Sequence, residues 1–332
     1  MISVGQYERL CAMLERRFRQ ASEDRIEDLG ALVEEAGATL VSTLTDADDA
    51  MSWLYFRIGV DAGKENLAMA HQIFPILCEL QTIFPVERWW WLNKTDITGS
   101  AMRLRLSVRR EARAQVTTEL QKRFEMIRLD ATVLRYEPEL CLFGGPAGIR
   151  IAHDQFCADS RFLAAWMSGI ETITSPIIPE GLSLAIILTM LRACGLDVFE
   201  LWDVFSRVCL KRDFFPQAHP ARNEFERVAQ TVINAEREQI FGLYADHRAA
   251  LLAQYMKDID YFGSELTRAY FQGQLGCGLR EYLAPVVLFH WNRIGLSTFH
   301  QFELANAAAH QMENISRKST KSEDRLGTEN GA

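Results

Sequence analysis

The sequence lacks a long apolar run. Its most apolar stretch, Leu182 to Met190, is far shorter than the roughly 20 residues that a bilayer-spanning helix needs. The opening residues, MISVGQYERL, soon reach acidic and basic side chains, which is unlike a secretory signal. We therefore expect a cytoplasmic protein with no membrane partner.

Metal and nucleotide motifs are also missing. The seven cysteines are odd in number and widely spaced, and none belongs to a CxxC pair. This pattern is typical of free thiols in a reducing compartment rather than of a zinc cage. The sequence contains no HExxH motif, no GxGxxG motif and no P-loop. We expect neither a metal nor a cofactor.

The sequence has fewer basic than acidic residues. Lys and Arg total 36 against 44 Asp and Glu, which gives a formal net charge of −8. This balance argues against a nucleic-acid partner, because such proteins neutralise phosphates with basic residues. The hydrophobic fraction of 48% and the charged fraction of 24% are ordinary for a globular chain. A length of 332 residues is enough for one large domain.

Hydrophobic periodicity predicts three regions. Residues 1–50 read as an N-terminal helical extension, and strands then alternate with helices up to residue 139. The predicted strands are Ser52–Val60, Glu87–Lys94, Arg103–Arg109 and Ala131–Glu139, with helices at Lys64–Phe84 and Gln115–Glu125. This order is typical of a split βαβ sheet, mostly antiparallel, with helices on one face.

The chain becomes almost wholly helical after Gly144-Gly145, from about Ile149 to Met312. No Pro-, Ser- or Gly-rich linker separates these helices from the sheet, so residues 51–313 are predicted to share one core. Residues 314–332 are polar and lack periodicity, which predicts a disordered tail. The predicted fold class is α+β with a large helical C-terminal part.

The segment RLRLSVR is the most informative strand. Its strict alternation puts Arg103, Arg105, Ser107 and Arg109 on one face. Neighbouring guanidinium groups repel one another unless an anion lies between them, and a substrate carboxylate or phosphate would serve. The alternatives are a solvated face or cross-strand partners such as Glu137 and Glu139.

Other segments carry weaker signals. Gly144-Gly145 before a helix would suit an anion or a plain strand-to-helix turn. His153 precedes Ser160 by two helical turns, too far for a direct hydrogen bond, and no GxSxG elbow supports a serine hydrolase. His290 and Arg293 are i,i+3 neighbours, and the guanidinium would keep the histidine neutral as a base. The alternative is a histidine buried in the core.

Six segments occur in an order that resembles a known family. They are SWLYFRIGVDAG, ERWWWLNKTD, AMRLRLSV, YEPELCLFGG, AHDQFCADSR and FHWNRIGLS. Between Trp53 and Met312 the chain resembles the C-terminal elimination domain of class I lanthipeptide dehydratases. It is most similar to the stand-alone branch found in thiopeptide-type bacteriocin biosynthesis.

The resemblance implies one of two cofactor-free reactions. One removes glutamate from glutamylated Ser or Thr; the other joins two dehydroalanines in a formal [4+2] cycloaddition, which forms a pyridine and releases the leader peptide. Arg103, Arg105 and Glu139 match the eliminating members. Leu142 and Leu288 stand where those members carry an arginine and a histidine. These two departures favour cycloaddition.

The family implies roles for the remaining residues. Tyr136, Glu139 and His290 are the predicted catalytic acids and bases, and the predicted substrate-binding residues are Arg103, Arg105, Trp91, Ser160, Asn292 and Arg293. The tryptophan run could instead pack against a sheet face. The implied partners are a leader-bearing precursor peptide and other enzymes of its pathway. Two alternatives stay open: the elimination subunit of a split tRNA-dependent dehydratase, and a non-catalytic leader-binding module.

Overall fold

A computed structural model describes residues 51–96, 99–168, 176–212, 222–235, 237–243 and 248–329. The predicted N-terminal extension, 1–50, lies outside these residues. The first part of the described chain forms an antiparallel sheet in the order β2-β3-β1-β4. Its strands are β1 (Met51–Gly59), β2 (Val86–Asp96), β3 (Gly99–Arg109) and β4 (Ala131–Leu134).

Helices connect these strands as the split βαβ prediction requires. They are α1 (Glu65–Ala68), a π-helical turn (Met69–Ile73), α2 (Phe74–Ile83), a short 3-10 turn (Arg110–Ala112) and α3 (Arg113–Met126). Ring contacts of Phe56 with Phe124 and of Phe74 with Trp89 place α2 and α3 against one face of the sheet. The predicted α+β class and strand order are therefore confirmed.

The alternation of β3 divides its side chains between the two faces of the sheet. Leu104 and Leu106 are fully buried and lie on the same face as Phe56, because alternate residues of paired strands share a face. The opposite face carries Arg105, which lies between Trp90 of β2 and Tyr55 of β1 in the strand register. On this face Arg105 and Ser107 are buried, Arg103 is partly exposed and Arg109 is exposed, so the arginine face is half-open.

Strand β4 is shorter than predicted. It ends at Leu134, opposite Tyr55, instead of at Glu139. Pro138 cannot donate a ladder hydrogen bond, which excludes only the far end of the predicted strand. The chain then turns through backbone bonds that include Phe143 N–H to the Glu139 carbonyl, 3.2 Å, and Gly145 N–H to the Leu140 carbonyl, 2.7 Å. This turn takes Tyr136 and Glu139 out of the sheet. Since β4 ends at Leu134 and pairs only with β1 in the described sheet, neither Glu137 nor Glu139 is a cross-strand partner of the arginines.

The second half is helical, as predicted. It comprises α4 (Pro146–Met167), α5 (Glu180–Ala193), α6 (Val198–Leu210), α7 (Arg222–Asn234), α8 (Arg237–Gly242), α9 (Ala249–Phe271), α10 (Leu279–Ile294) and α11 (Thr298–Glu329). Helix α4 begins after Gly144 and Gly145, both at positive φ. A Cβ on Gly144 would lie 2.7 Å from the Cys277 sulfur, so the glycine permits close packing.

Helix α11 runs to Glu329, into the segment 314–332 for which the sequence predicted disorder. Its N-terminal half packs through Leu304, Ala308 and Met312. Extending a helix that packing has already nucleated adds one hydrogen bond per residue without a new nucleation cost. A polar sequence can therefore continue it. Across the described ranges, no helix combines the length and apolar character needed to cross a membrane.

Candidate active site

The row Trp90–Arg105–Tyr55 forms the floor of the candidate site. The Arg105 guanidinium carbon lies 4.0 Å from the Trp90 ring centre and 4.8 Å from that of Tyr55. Its Nη1 donates to the carbonyl of Arg103 at 3.1 Å, and the side chain is only 3% exposed. Burial lowers the pKa of Arg105, while Tyr136 and Glu139 oppose that shift. Arg105 is thus a buried cation held among aromatic rings.

Tyr136 and His153 form a hydrogen-bonded pair above this floor. The Tyr136 hydroxyl lies 2.6 Å from His153 Nε2, and the guanidinium carbon of Arg105 lies 5.4 Å from the Tyr136 ring. The turn after β4 positions Tyr136, and α4 positions His153 two turns after its start. Trp53 packs on both rings, with centroids 5.9 Å and 4.6 Å away. Two proton-exchanging groups therefore meet beside a fixed positive charge.

The surroundings keep both members of the pair neutral at pH 7. Burial, with Arg88 and Arg105 nearby, lowers the pKa of His153 to about 3. Burial and Glu139 raise the pKa of Tyr136, and Arg105 opposes that rise. A neutral imidazole offers one donor and one acceptor nitrogen. The pair can therefore pass a proton without starting from a charged form.

Stability should depend on pH through His153. Between pH about 6.5, where an unfolded histidine titrates, and pH about 3, only the unfolded state binds this proton. Stability should therefore fall as the pH drops through this window, by about 1.4 kcal/mol per pH unit for this one group. Urea unfolding at several pH values should show a shallower slope for His153→Gln.

Tyr136→Phe is the control for that measurement. It leaves His153 in place and buried, so it should keep the wild-type slope. Equal slopes for His153→Gln and the wild-type protein would mean that folding does not lower the pKa of His153.

Glu139 supplies an acceptor to the same site. The residue is half-buried, and its Oε2 is enclosed without a hydrogen-bond partner among the described residues. The same holds for Arg105 Nε and Trp90 Nε1. Buried polar atoms without partners are uncommon and costly. Of the residues around them, Tyr136 and Glu139 are partly exposed, so this is the side from which a peptide, with its N–H and C=O groups, can approach the site.

His290 lies away from this face. It is buried in a network in which its Nδ1 is 2.9 Å from Asp159 Oδ1 and its Nε2 is 3.0 Å from Ser183 Oγ. Tyr255 also donates to Asp159, at 2.7 Å. Although Ser183, His290 and Asp159 are connected like a catalytic triad, Ser183 is fully buried. The network holds helices together, so we do not retain the catalytic role predicted for His290.

Hydrogen bonds at the outer edge of β2 involve three predicted substrate-binding residues, Arg293, Ser160 and Trp91. The Arg293 guanidinium donates to Asp159 and, at 2.9 Å, to the carbonyl of Trp91. The Trp91 N–H donates to Ser160 Oγ at 3.4 Å. All three residues are buried, and the Trp91 indole stacks on Trp89, on the face opposite Arg105. Their contacts assign them a structural role in place of the predicted substrate contact.

Asn292 has a similar structural position. Its Oδ1 accepts hydrogen bonds from Arg212 at 3.3 Å and Gln301 at 3.0 Å, so it ties α10 to its neighbours. Of the predicted site residues, Tyr136, Glu139, Arg103 and Arg105 come together on the half-open face of the sheet.

His153 is the site residue that the sequence interpretation missed. Its distance from Ser160 along the helix argues against a serine hydrolase and does not by itself indicate a contact with Tyr136. Its helical spacing with Phe156 and Ser160 was the available signal, because residues three, four and seven apart share a helix face. Phe156 packs on Trp90 at 5.0 Å, so this face of α4 lies over the sheet.

The described part of the chain contains no group of three or more His, Cys, Asp or Glu side chains placed to hold a metal ion. Most of its cysteines have raised pKa values through burial, Cys157 and Cys194 to about 12, and so are poor nucleophiles. The chemistry available on this face is therefore that of a tyrosine, a histidine, a glutamate and arginines.

Comparison with known proteins agrees with this architecture. A search of curated proteins finds no match. In structure, the chain resembles the tRNA-dependent lantibiotic dehydratase MibB from Microbispora sp. 107891, with a TM-score of 0.60 and 18% identity over 80% of the chain. The match spans only 28% of MibB.

Two smaller proteins also align. TsrL matches with a TM-score of 0.51 and 11% identity over 80% of this chain and 95% of its own. TbtD, a pyridine synthase from thiomuracin biosynthesis, matches with a TM-score of 0.40 and 14% identity over 79% of this chain and 98% of its own. At these identities the first two matches establish a shared fold.

The sequence itself settles the family. Residues 53–312 match the profile described as the C-terminal part of lantibiotic biosynthesis dehydratases, which is well over half of the chain. The matched range includes every residue of the candidate site. The chain therefore belongs to the lantibiotic biosynthesis dehydratase C-terminal family.

Proposed function

We propose that this protein is a cofactor-free enzyme that joins two dehydroalanines of a precursor peptide into a pyridine and releases the leader. The observation that carries the proposal is the 2.6 Å contact between the Tyr136 hydroxyl and His153 Nε2 beside buried Arg105. Cycloaddition first requires one amide to become its iminol, and that step needs a proton donor and a proton acceptor near a single amide.

The residues of the site can take these parts. Glu139 accepts the amide N–H proton, and the Tyr136 hydroxyl delivers a proton to the amide oxygen. His153 Nε2–H and the Arg105 cation stabilise the resulting phenolate. His153 thus replaces the His290 of the sequence prediction as the partner of Tyr136.

The remaining steps balance the protons. Two carbon–carbon bonds form between the azadiene and the second dehydroalanine. Protonated Glu139 then gives its proton to the departing hydroxyl, which leaves as water, and the phenolate takes a ring C–H proton. In the second elimination the C–N bond to the leader breaks as Tyr136 gives a proton to the departing amide nitrogen and Glu139 takes a ring C–H proton, which leaves the aromatic pyridine. A proton transfer from Glu139 to the phenolate then restores both groups. Holding both arms of one peptide together can supply up to about 7–11 kcal/mol of the barrier.

Leu142 favours this reaction over glutamate elimination. It stands in the turn before Gly144, partly buried and packed on the core, where an apolar side chain offers no charge for a departing glutamate. Elimination would leave a carboxylate product that needs a cation in that position, whereas cycloaddition releases neutral water and a neutral amide.

The experiment is mass spectrometry of the protein with two synthetic leader-bearing peptides. One contains paired dehydroalanines and the other contains a glutamylated serine. We expect the first to lose water and its leader as an amide. Loss of glutamate from the second peptide would identify an eliminating enzyme instead. If both peptides bind and neither changes, the protein is a binding module.

A further inference from the structure

We propose that the outer side of α4 carries a binding site for an acidic segment of the peptide substrate. A pocket of about 280 Å³ lies there between α4 and α9, and its walls include Arg88, Arg150, Arg161 and Tyr261. The inference rests on the proposed function for the identity of the substrate as a peptide. It adds a second contact region, outside the reacting residues.

The charges of the pocket point to an anion. Two of its three carboxylates are paired with arginines: Asp154 binds Arg88 at 2.6 Å, and Glu265 pairs with Arg268. Among the described residues, the third, Asp258, accepts a hydrogen bond only from the neutral amide of Gln254, at 3.4 Å. Arg150 and Arg161 are exposed, and neither forms a hydrogen bond or an ion pair with any residue that the structure describes. Two arginines are thus available against one carboxylate without a cationic partner, in a protein whose net charge is −8.

The spacing of the two arginines suits a chain rather than a single ion. They are eleven positions apart on one helix, which corresponds to about 16 Å at 1.5 Å per residue. An extended peptide covers that distance in about five residues. The exposed ring of Tyr261 adds an apolar contact surface along the same wall. The occupant we infer is therefore an extended peptide with more than one Asp or Glu.

Arg88 connects this pocket with the candidate active site. Its guanidinium carbon lies 5.7 Å from the Trp53 ring centre, and its charge lowers the pKa of His153. Trp53 itself packs on Tyr136. Arg88 thus lies in the pocket wall and also beside Trp53, which places the pocket next to the candidate active site.

Fluorescence anisotropy with two unreactive labelled probes tests this site. Both probes are Gly/Ala peptides of equal length; one carries glutamate at alternate positions and the other carries glutamine. At about 50 mM salt, where surface charges are weakly screened, we expect the glutamate probe to bind about tenfold or more tightly than the glutamine probe. The double variant Arg150→Gln/Arg161→Gln should abolish that preference.

A second double variant, Arg192→Gln/Arg227→Gln, controls for net charge. It also removes two exposed helical arginines, on α5 and α7, and should leave the preference intact. The proposal is overturned if the wild-type protein shows no preference, if Arg150→Gln/Arg161→Gln keeps it, or if both double variants lose it equally. Circular dichroism of each variant checks the fold.

The outcome is independent of the proposed reaction. The probes contain neither dehydroalanine nor serine, so their binding requires no turnover. Arginine-dependent binding without conversion of any peptide would refute the cycloaddition alone. Conversion without a preference for the glutamate probe would refute the acidic-segment site alone.

Discussion

Tyr136→Phe should lower kcat/KM for the dehydroalanine peptide by about 10²- to 10⁴-fold, the range that a positioned proton-transfer group contributes. The change removes one oxygen atom and leaves the ring that packs on Trp53 and Tyr55. The lost oxygen is the one 2.6 Å from His153 Nε2. The substrate amide then loses its proton donor, while the pocket keeps its shape.

The expected loss is mainly in kcat. Peptide binding depends on the whole face of the sheet, whereas the hydroxyl acts on the amide as its proton moves, so KM should change little. Tyr270→Phe is the matched control, because Tyr270 is an exposed residue of α9 that contacts Phe271. It should react at the wild-type rate. Wild-type turnover by Tyr136→Phe would exclude the phenol from proton transfer.

Arg105→Ala is a less specific probe of the same site. Arg105 contacts the rings of Trp90, Tyr55 and Tyr136 and is almost fully buried. Its removal would leave a cavity as well as remove a charge. A loss of activity in that variant could come from the cavity or from the missing charge. Tyr136→Phe removes only the hydroxyl and leaves the packing of the ring unchanged.

Local patterns predicted the sheet well. The alternation in RLRLSVR follows directly from the two-residue period of a strand, and it placed Arg103 and Arg105 together on one face. The strand–helix order limited the topology to very few arrangements. The predicted strand β4 is too long at its C-terminal end, because residues such as Tyr136 are also common in strands. The turn that takes Tyr136 and Glu139 out of the sheet depends on Pro138 and on contacts with later parts of the chain.

The choice between histidines could not be made from local patterns. His153 and His290 both lie on long helices with apolar neighbours. Which one meets the half-open face depends on how α4 and α10 pack on the sheet, and that packing involves contacts over more than 100 residues of sequence, such as His290 with Asp159. For the same reason, the sequence predicts Arg293 and Ser160 as substrate-binding residues, whereas in the structure they form hydrogen bonds with the backbone of Trp91 at the edge of β2.

Asp159→Ala should reduce the free energy of unfolding by about 3–5 kcal/mol, the usual cost of removing one partner of a buried ion pair. Asp159 receives hydrogen bonds from Tyr255, His290 and Arg293. Without it, the Arg293 guanidinium, only 1% exposed, is left as an uncompensated charge. Since domains are stable by about 5–15 kcal/mol, the loss should show as a large fall in the urea midpoint.

Asp154→Ala on the same helix is the matched control. Asp154 also binds an arginine, Arg88, but its side chain is 39% exposed, so its loss should cost less than about 1 kcal/mol. The two variants remove the same group from α4 and differ in burial. Asp159 also anchors the arginine that donates to Trp91, so its loss should loosen the contact between β2 and α10. If both variants lower the free energy of unfolding by the same amount, Asp159 is not what fixes the helices to the edge of the sheet. The packing of Trp90, Phe156 and Phe289 must then hold the candidate site in place.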